Sequence, residues 1–200
     1  TRVGDIVVMR ILSGAFKGRT LLPPAGDGTR PITALVKRSL FGILSPRLDG
    51  ATVLDLYCGT GTIGLEALSQ GAARCCFAER DGLALARLRR NIETLGVGGQ
   101  CTIWAGDVEQ RLARWLDALD GGVDVASVDP PFATARRWDW PRAVETVFAP
   151  LAAHLSPGGV VVLRTPDRVE VPDRLGPLAA CRTREYGGMK ITFLELPAGG

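Results

Sequence analysis

Histidine occurs once in the 200 residues, at His154, and none of the five cysteines (Cys58, Cys75, Cys76, Cys101, Cys181) forms a C-x-x-C pair. A metal site built from His and Cys ligands is therefore not expected. An odd cysteine count with two adjacent members is no disulfide framework; Cys75, Cys76 and Cys101, in apolar strand-like runs, are expected as small core residues, in a reducing, cytoplasmic setting. His154 follows Leu151-Ala152-Ala153 near a predicted helix end, where a surface position is expected. No G-x-S-x-G turn exists to partner it, which argues against a Ser-His-Asp hydrolase. The longest apolar runs, such as Gly159-Val160-Val161-Val162-Leu163, fall far short of the ~18 residues of a membrane span. The opening TRVGDIVVMR lacks the apolar stretch and cleavage site of a secretory signal.

What is present is the composition of a globular protein, 46% hydrophobic and 22% charged, which excludes a disordered chain, a collagen and a coiled coil. A chain of this length can bury about 70% of its unfolded surface and needs no covalent staple. The charge is uneven. Residues 1–50 carry eight basic and three acidic side chains, a net +5, against −2 for the remainder. A basic head on a near-neutral body points to a polyanionic partner, with a solvated charged face as the plainer explanation.

After residue 50 strands alternate with helices. Strands are predicted at Ala51–Tyr57, Arg74–Glu79, Cys101–Ala105, Val123–Val128 and Gly159–Arg164. Helices are predicted at Thr62–Gln70, Leu83–Leu95, Val108–Leu119 and Pro141–Leu155, and a hairpin at Cys181–Tyr186 with Met189–Leu196. This order gives an α/β, doubly wound sheet, mostly parallel with an antiparallel C-terminal hairpin. Before it, Met9–Leu22 reads as a small hairpin and Thr33–Leu44 as a helix capped by Thr33. In such sheets ligands bind beyond the carboxyl ends of the strands, so the residues that follow each strand matter most.

Asp55-Leu56-Tyr57-Cys58-Gly59-Thr60-Gly61-Thr62-Ile63-Gly64 contains G-x-G-x-x-G. Alone this fits either a dinucleotide or another adenosine ligand. Asp55 would repel a pyrophosphate but suits a ligand with an ammonium and a sulfonium, such as S-adenosylmethionine. Glu79 ends the next strand and can accept two hydrogen bonds from a ribose diol; Asp107, after the third, can accept from an adenine amine or simply cap a helix. The most specific signal is Asp129-Pro130-Pro131-Phe132 after the fourth strand. Its prolines stiffen a turn that can aim the Asp129 carboxylate and the Pro130 carbonyl at one exocyclic amine. Phe132 offers a ring for base stacking.

With Arg10-Ile11-Leu12-Ser13-Gly14, Lys17-Gly18-Arg19, Thr29-Arg30-Pro31, Leu40-Phe41, Gly64-Leu65-Glu66-Ala67-Leu68-Ser69 and Gly71-Ala72, these motifs run from Met9 to about Leu196. Across that span the chain resembles the RsmD-type bacterial methyltransferases, which methylate the N2 amine of a guanine in small-subunit (16S) ribosomal RNA. The resemblance implies a seven-stranded class I (Rossmann-like) methyltransferase fold, S-adenosylmethionine as donor, S-adenosylhomocysteine as product, and no metal. It also implies an N-terminal element that helps hold the nucleic acid, and the residue pattern divides the chain into an N-terminal extension and basic hairpin at 1–32 and a methyltransferase domain at 33–200. The expected catalytic turn is Asp129, Pro130, Pro131 and Phe132. Asp55, Tyr57, Gly59, Gly61, Glu79, Arg80 and Asp107 are expected at the donor, and Arg10, Ser13, Gly14, Lys17, Arg19 and Arg30 at the nucleic acid.

After Thr-Arg-Pro the family reads Thr-Thr-Asp-Arg-Val-Arg-Glu, where this chain has Ile32-Thr33-Ala34-Leu35-Val36-Lys37-Arg38. Two acids are lost there, which leaves DNA as an alternative substrate. The leading expectation is a monomeric, cytoplasmic enzyme acting on 16S rRNA in a small-subunit particle. A catalytically silent RNA-binding assembly factor and a nicotinamide oxidoreductase are the readings from other classes.

Overall fold

The computed structural model describes residues 9–24 and 32–197; Arg30 and its Thr29-Arg30-Pro31 motif lie outside them. The chain opens with two short paired strands, β1 (Met9–Arg10) and β2 (Thr20–Leu21), followed by helix α1 (Ala34–Leu44). As the sequence predicts, Thr33 caps α1, its hydroxyl accepting from Val36 N. Next come β3 (Thr52–Leu56), α2 (Thr62–Ser69), β4 (Arg74–Glu79), α3 (Gly82–Leu95), β5 (Cys101–Ala105), α4 (Val108–Asp117) and β6 (Val123–Val128). The last third holds α5 (Phe132–Ala135), α6 (Trp140–Ala143), α7 (Ala149–His154), β7 (Leu155–Pro166), β8 (Arg174–Leu175), β9 (Leu178–Tyr186) and β10 (Met189–Glu195).

The main sheet has eight strands in the order β5-β4-β3-β6-β7-β10-β9-β8. β3 to β7 run parallel, and β10, β9 and β8 close the sheet antiparallel. The two-residue β8 is the strand beyond the expected seven. Apolar side chains fill both faces. Val53, Phe77, Val160 and Val162 pack with residues of α1, α2 and α3 on one side. Leu54, Ala78, Val128 and Leu163 pack with α4 and α7 on the other. This double burial is why the inner parallel strands β3, β4, β6 and β7 read as largely apolar runs, while β5 at the edge is more exposed. Among the described residues, no helix is long and apolar enough to cross a membrane.

Three local features differ from the sequence prediction. The helix expected at Pro141–Leu155 is α6 and α7 joined by a π-turn at Val144–Phe148. Pro150 has no N–H to donate, so the hydrogen-bond ladder changes register just ahead of it. The strand expected at Gly159–Arg164 is longer, because Leu155 already pairs with Val123; the Ser156-Pro157-Gly158 turn survives as the register shift before Val160 pairs with Val125. A four-residue helix, α5, follows the Pro-Pro turn directly.

The N-terminal hairpin is bound to the sheet domain through buried polar groups. Glu66 of α2 is fully buried; its carboxylate accepts from Leu12 N and Ser13 N and pairs with Lys37 Nζ of α1 at 2.8 Å. Lys37, 4% exposed, also donates to Arg10 O and Thr62 Oγ1. Ser69 donates to Ser13 O and accepts from Phe16 N. A Cβ on Gly14 would lie 1.7 Å from Ser69 O, so this glycine is what lets the hairpin backbone approach the end of α2. Asn91 of α3 bonds both Leu22 and Thr60 O, tying the end of the hairpin to the loop after β3.

Removing one partner of a buried ion pair costs about 3–5 kcal/mol. Glu66→Ala should therefore lower stability by about that amount in urea unfolding. It should also speed tryptic cleavage after Lys17 and Arg19. Unchanged stability with unchanged cleavage contradicts this account of the docking.

Candidate active site

Strand order reverses between β3 and β6, so the loops that follow them lie side by side; Asp129 N donates to Leu56 O at 3.2 Å. The Gly59–Gly61 loop and the Asp129–Phe132 turn, predicted separately, thus share one edge of the sheet.

The glycines divide the work. Gly59 (φ +55°) has nothing within 4 Å of an added Cβ, so the loop's backbone faces open space there. A Cβ at Gly64 would press into Phe77 and Cys75, so this glycine serves the packing of α2 on β4. Tyr57 leaves β3 in the left-handed region (φ +58°), a strained conformation for a large side chain. Its ring meets Trp138 edge-on, and its hydroxyl is buried without a hydrogen-bond partner.

The carboxylates organise the loops. Asp55, 1% exposed, accepts from Gly64 N at 2.8 Å. Burial pushes its carboxyl well above the usual range, and Asp129 and Glu79 add to the shift. Glu79 accepts from Gly59 N, Arg80 N and Asp81 N. A carboxylate has about four acceptor positions, so one remains for a ligand hydroxyl, where the sequence alone allows two. Asp107 caps α4 by accepting from Gln110 N and pairs with Arg80 at 3.0 Å. Cys58 is buried, and burial with Asp55 and Glu79 raises its thiol, which makes it a poor nucleophile.

Asp129 is held by a residue that the sequence reading passed over. Arg164 Nε of β7 donates to Asp129 Oδ1 at 2.6 Å, and its guanidinium lies 5.3 Å from the centroid of the Phe132 ring. Burial raises the Asp129 carboxyl, while Arg164 pulls it back down. Arg164 is the last residue of the strand as the sequence predicts it and lies two residues before the end of β7, which neighbours the strand of the Asp-Pro-Pro-Phe turn. Beside the turn a cavity of about 370 Å³ is lined by Glu109, Ala133, Thr134, Arg137, Trp138, Asp139 and Arg142.

The expected nucleic-acid residues spread over the hairpin. Arg10 and Lys17 are exposed. Arg19 donates to Thr94 O, while Ser13 and Gly14 serve the docking on α2. Among the described residues, no cluster of three His, Cys, Asp or Glu could hold a metal ion.

A carboxyl that is raised in the folded state holds its proton there more tightly than in the unfolded chain. Asp55 therefore makes stability fall as pH rises from the ordinary carboxylate range through its raised value. In the ligand-free protein, Asp55→Asn should keep the acceptor for Gly64 N but lose this decline. The melting temperature of the variant relative to wild type should rise between about pH 4 and pH 8; a constant difference contradicts the burial assignment.

Residues 9–195 match the family model described as conserved hypothetical protein 95. The rRNA-methyltransferase candidate YlbH of Bacillus subtilis is 34% identical over 179 residues, covering 90% of this chain and 94% of that protein. Ribosomal RNA small subunit methyltransferase D of Escherichia coli is 36% identical over 124 residues, 62% of this chain and 60% of the relative. Among solved structures, the Escherichia coli methyltransferase candidate YhhF superposes with a TM-score of 0.75 at 27% identity, covering 94% of this chain and 97% of that one. A hypothetical protein of Thermus thermophilus reaches 0.76 at 28%, covering 93% and 98%. A doubly wound sheet with a glycine loop and an Asp-Pro-Pro-Phe turn meeting at its switch point thus coincides with a family match over nearly the whole chain. The chain belongs to this family, the RsmD-type class I methyltransferases.

Proposed function

We propose that the enzyme transfers a methyl group from S-adenosylmethionine to the exocyclic N2 amine of a guanine in small-subunit rRNA. The observation that carries this reading is the Asp129–Phe132 turn, held rigid by Arg164 beside the open Gly59 loop. Three carboxyl groups, Asp55, Glu79 and Asp129, gather at the site, where ionising Asp55 is opposed by its burial and by the charges of the other two. A ligand carrying an ammonium and a sulfonium relieves that repulsion, whereas a pyrophosphate worsens it. The residues present thus fit the donor: the Gly59 loop and Asp55 toward its amino-acid end, Glu79 toward its ribose, and Tyr57, Arg80 and Asp107 around the adenine. When bound, S-adenosylmethionine supplies a methyl carbon made electrophilic by the sulfonium.

The rest is done by side chains and backbone. Asp129 and the Pro130 carbonyl accept the amine N–H groups and turn the nitrogen lone pair toward the methyl donor. Phe132, partly buried against the core and with Arg164 over its ring, offers its remaining exposed surface to a base turned out of its helix, a contact worth about 1–3 kcal/mol. With the donor bound, its methyl carbon would pass from sulfur to the amine nitrogen, leaving the thioether product, and the Asp129 carboxylate that accepts the amine N–H would take up the proton released. A base amine is a poor nucleophile, so the rate comes from alignment and from negative charge placed next to the developing cation. The names of the relatives support RNA over DNA as substrate.

Asp129→Ala should abolish labelled-methyl incorporation into small ribosomal subunits or their RNA while S-adenosylhomocysteine binding by calorimetry stays within a few-fold. Full activity in this variant refutes the assignment, and mass spectrometry of the product locates the methylated nucleotide. Arg164→Gln removes the positive charge that pulls the Asp129 carboxyl down, so the acid limb of the kcat/KM profile should move to higher pH. Loosening the turn should also lower kcat by roughly 10²-fold. An unshifted acid limb contradicts the role given to Arg164.

A further inference from the structure

Beyond the hairpin, a second group of arginines lies on the same face of the molecule. In the antiparallel half of the sheet, Ile191 of β10 sits opposite Arg164 on one side and Arg184 of β9 on the other. Directly opposed residues share a face, so Arg164 and Arg184 project to one side of the sheet, two strand spacings or about 10 Å apart. Arg182, opposite Phe193, projects the same way.

Helix α1 covers this face over β7 and β10, where Val160, Val162, Ile191 and Phe193 are at most 3% exposed. It reaches β9 at Tyr186, whose hydroxyl bonds Ser39 Oγ at 2.6 Å, and leaves Arg182 and Arg184 exposed. Arg38, next to Ser39, is exposed, and so is Leu35 at 69%. From its other flank α1 sends Lys37 to Arg10 O of the hairpin. Crossing this face, one meets Arg10 and Lys17 on the hairpin, then Arg38 on α1, then Arg184 and Arg182 on β9. The opposite side of β9 carries Thr183 and Glu185, so the basic character is one-sided. Glu195, further along β10 on the basic side, is already paired with Arg47 at 2.8 Å. Charged side chains also guard sheet edges against aggregation, but that role needs no particular face and no matching arginine on a neighbouring helix.

We propose that Arg38, Arg182 and Arg184 bind the phosphate backbone of the nucleic-acid substrate. The strand is then gripped on both sides of α1, and the target base enters the Asp129 corner between the hairpin and β9. The inference rests on the nucleic-acid reading above and extends it to a surface that neither the motifs nor the relatives' names assign.

The test is fluorescence anisotropy with a labelled small-subunit rRNA fragment between about 50 and 300 mM KCl. For Arg38→Gln/Arg182→Gln/Arg184→Gln, the magnitude of the slope of log affinity against log salt should fall by about 2, and for Arg184→Gln alone by about 0.7. Melting temperature and S-adenosylhomocysteine binding should match wild type. A steep wild-type slope retained by both variants overturns this inference and leaves the proposed function standing, and reduced solubility with that same slope assigns the arginines to edge protection. Absence of salt-dependent RNA binding by the wild type overturns both.

Discussion

The parallel pairing of β3 with β6, at the point where the sheet reverses its strand order, is the constraint on which the chemistry depends. It brings together two loops more than sixty residues apart and sets Asp55 near Asp129, while the pairing of β3 with β4 on its other side adds Glu79, so that Asp55 feels the charge of both. Such an arrangement opposes stability in the empty protein. Backbone N–H donors at Gly64, Gly59, Arg80 and Asp81, together with the Arg164 guanidinium, offset it. The same donors hold the loops in shape, so the electrostatic strain and the preorganisation of the site are two aspects of one set of contacts.

The hairpin is held in a different way. Its apolar residues Met9, Ile11 and Leu21 join the core on the α1 side of the sheet, but its position is set by polar groups: Glu66, Lys37, Ser69 and Asn91. Hydrophobic burial is non-directional, whereas a buried carboxylate that accepts backbone N–H groups of Leu12 and Ser13 permits one register. Asn91 carries the connection to Thr60, so the basic hairpin and the loop proposed to hold the donor are mechanically joined.

Local patterns were readable where local physics decides. The apolar runs of β4, β5 and β6, the Thr33 cap and the Gly96 stop all follow from side-chain periodicity and backbone conformation within a few residues. The π-turn before Pro150 and the extension of β7 depend on hydrogen bonds to other parts of the chain or on a lost donor, and periodicity does not register them. Folding also gives some residues contacts that no motif reveals. Gly14, expected near nucleic acid, comes close to Ser69; Glu66 and Ser69, which the sequence offers only as family marks on the loop helix, anchor the hairpin.

The fold class, the family and the two loops of the site are legible from residue order alone. Strand–helix alternation and short motifs are properties of neighbouring residues, and proximity along the chain is enough to express them. Folding in three dimensions was needed to establish that Arg164 grips Asp129, that Asp55 is buried under its own loop, and that Arg164 and Arg184 face the same side. These facts depend on sheet register and strand order, through which residues far apart in the chain come within the few ångströms where charges and hydrogen bonds act.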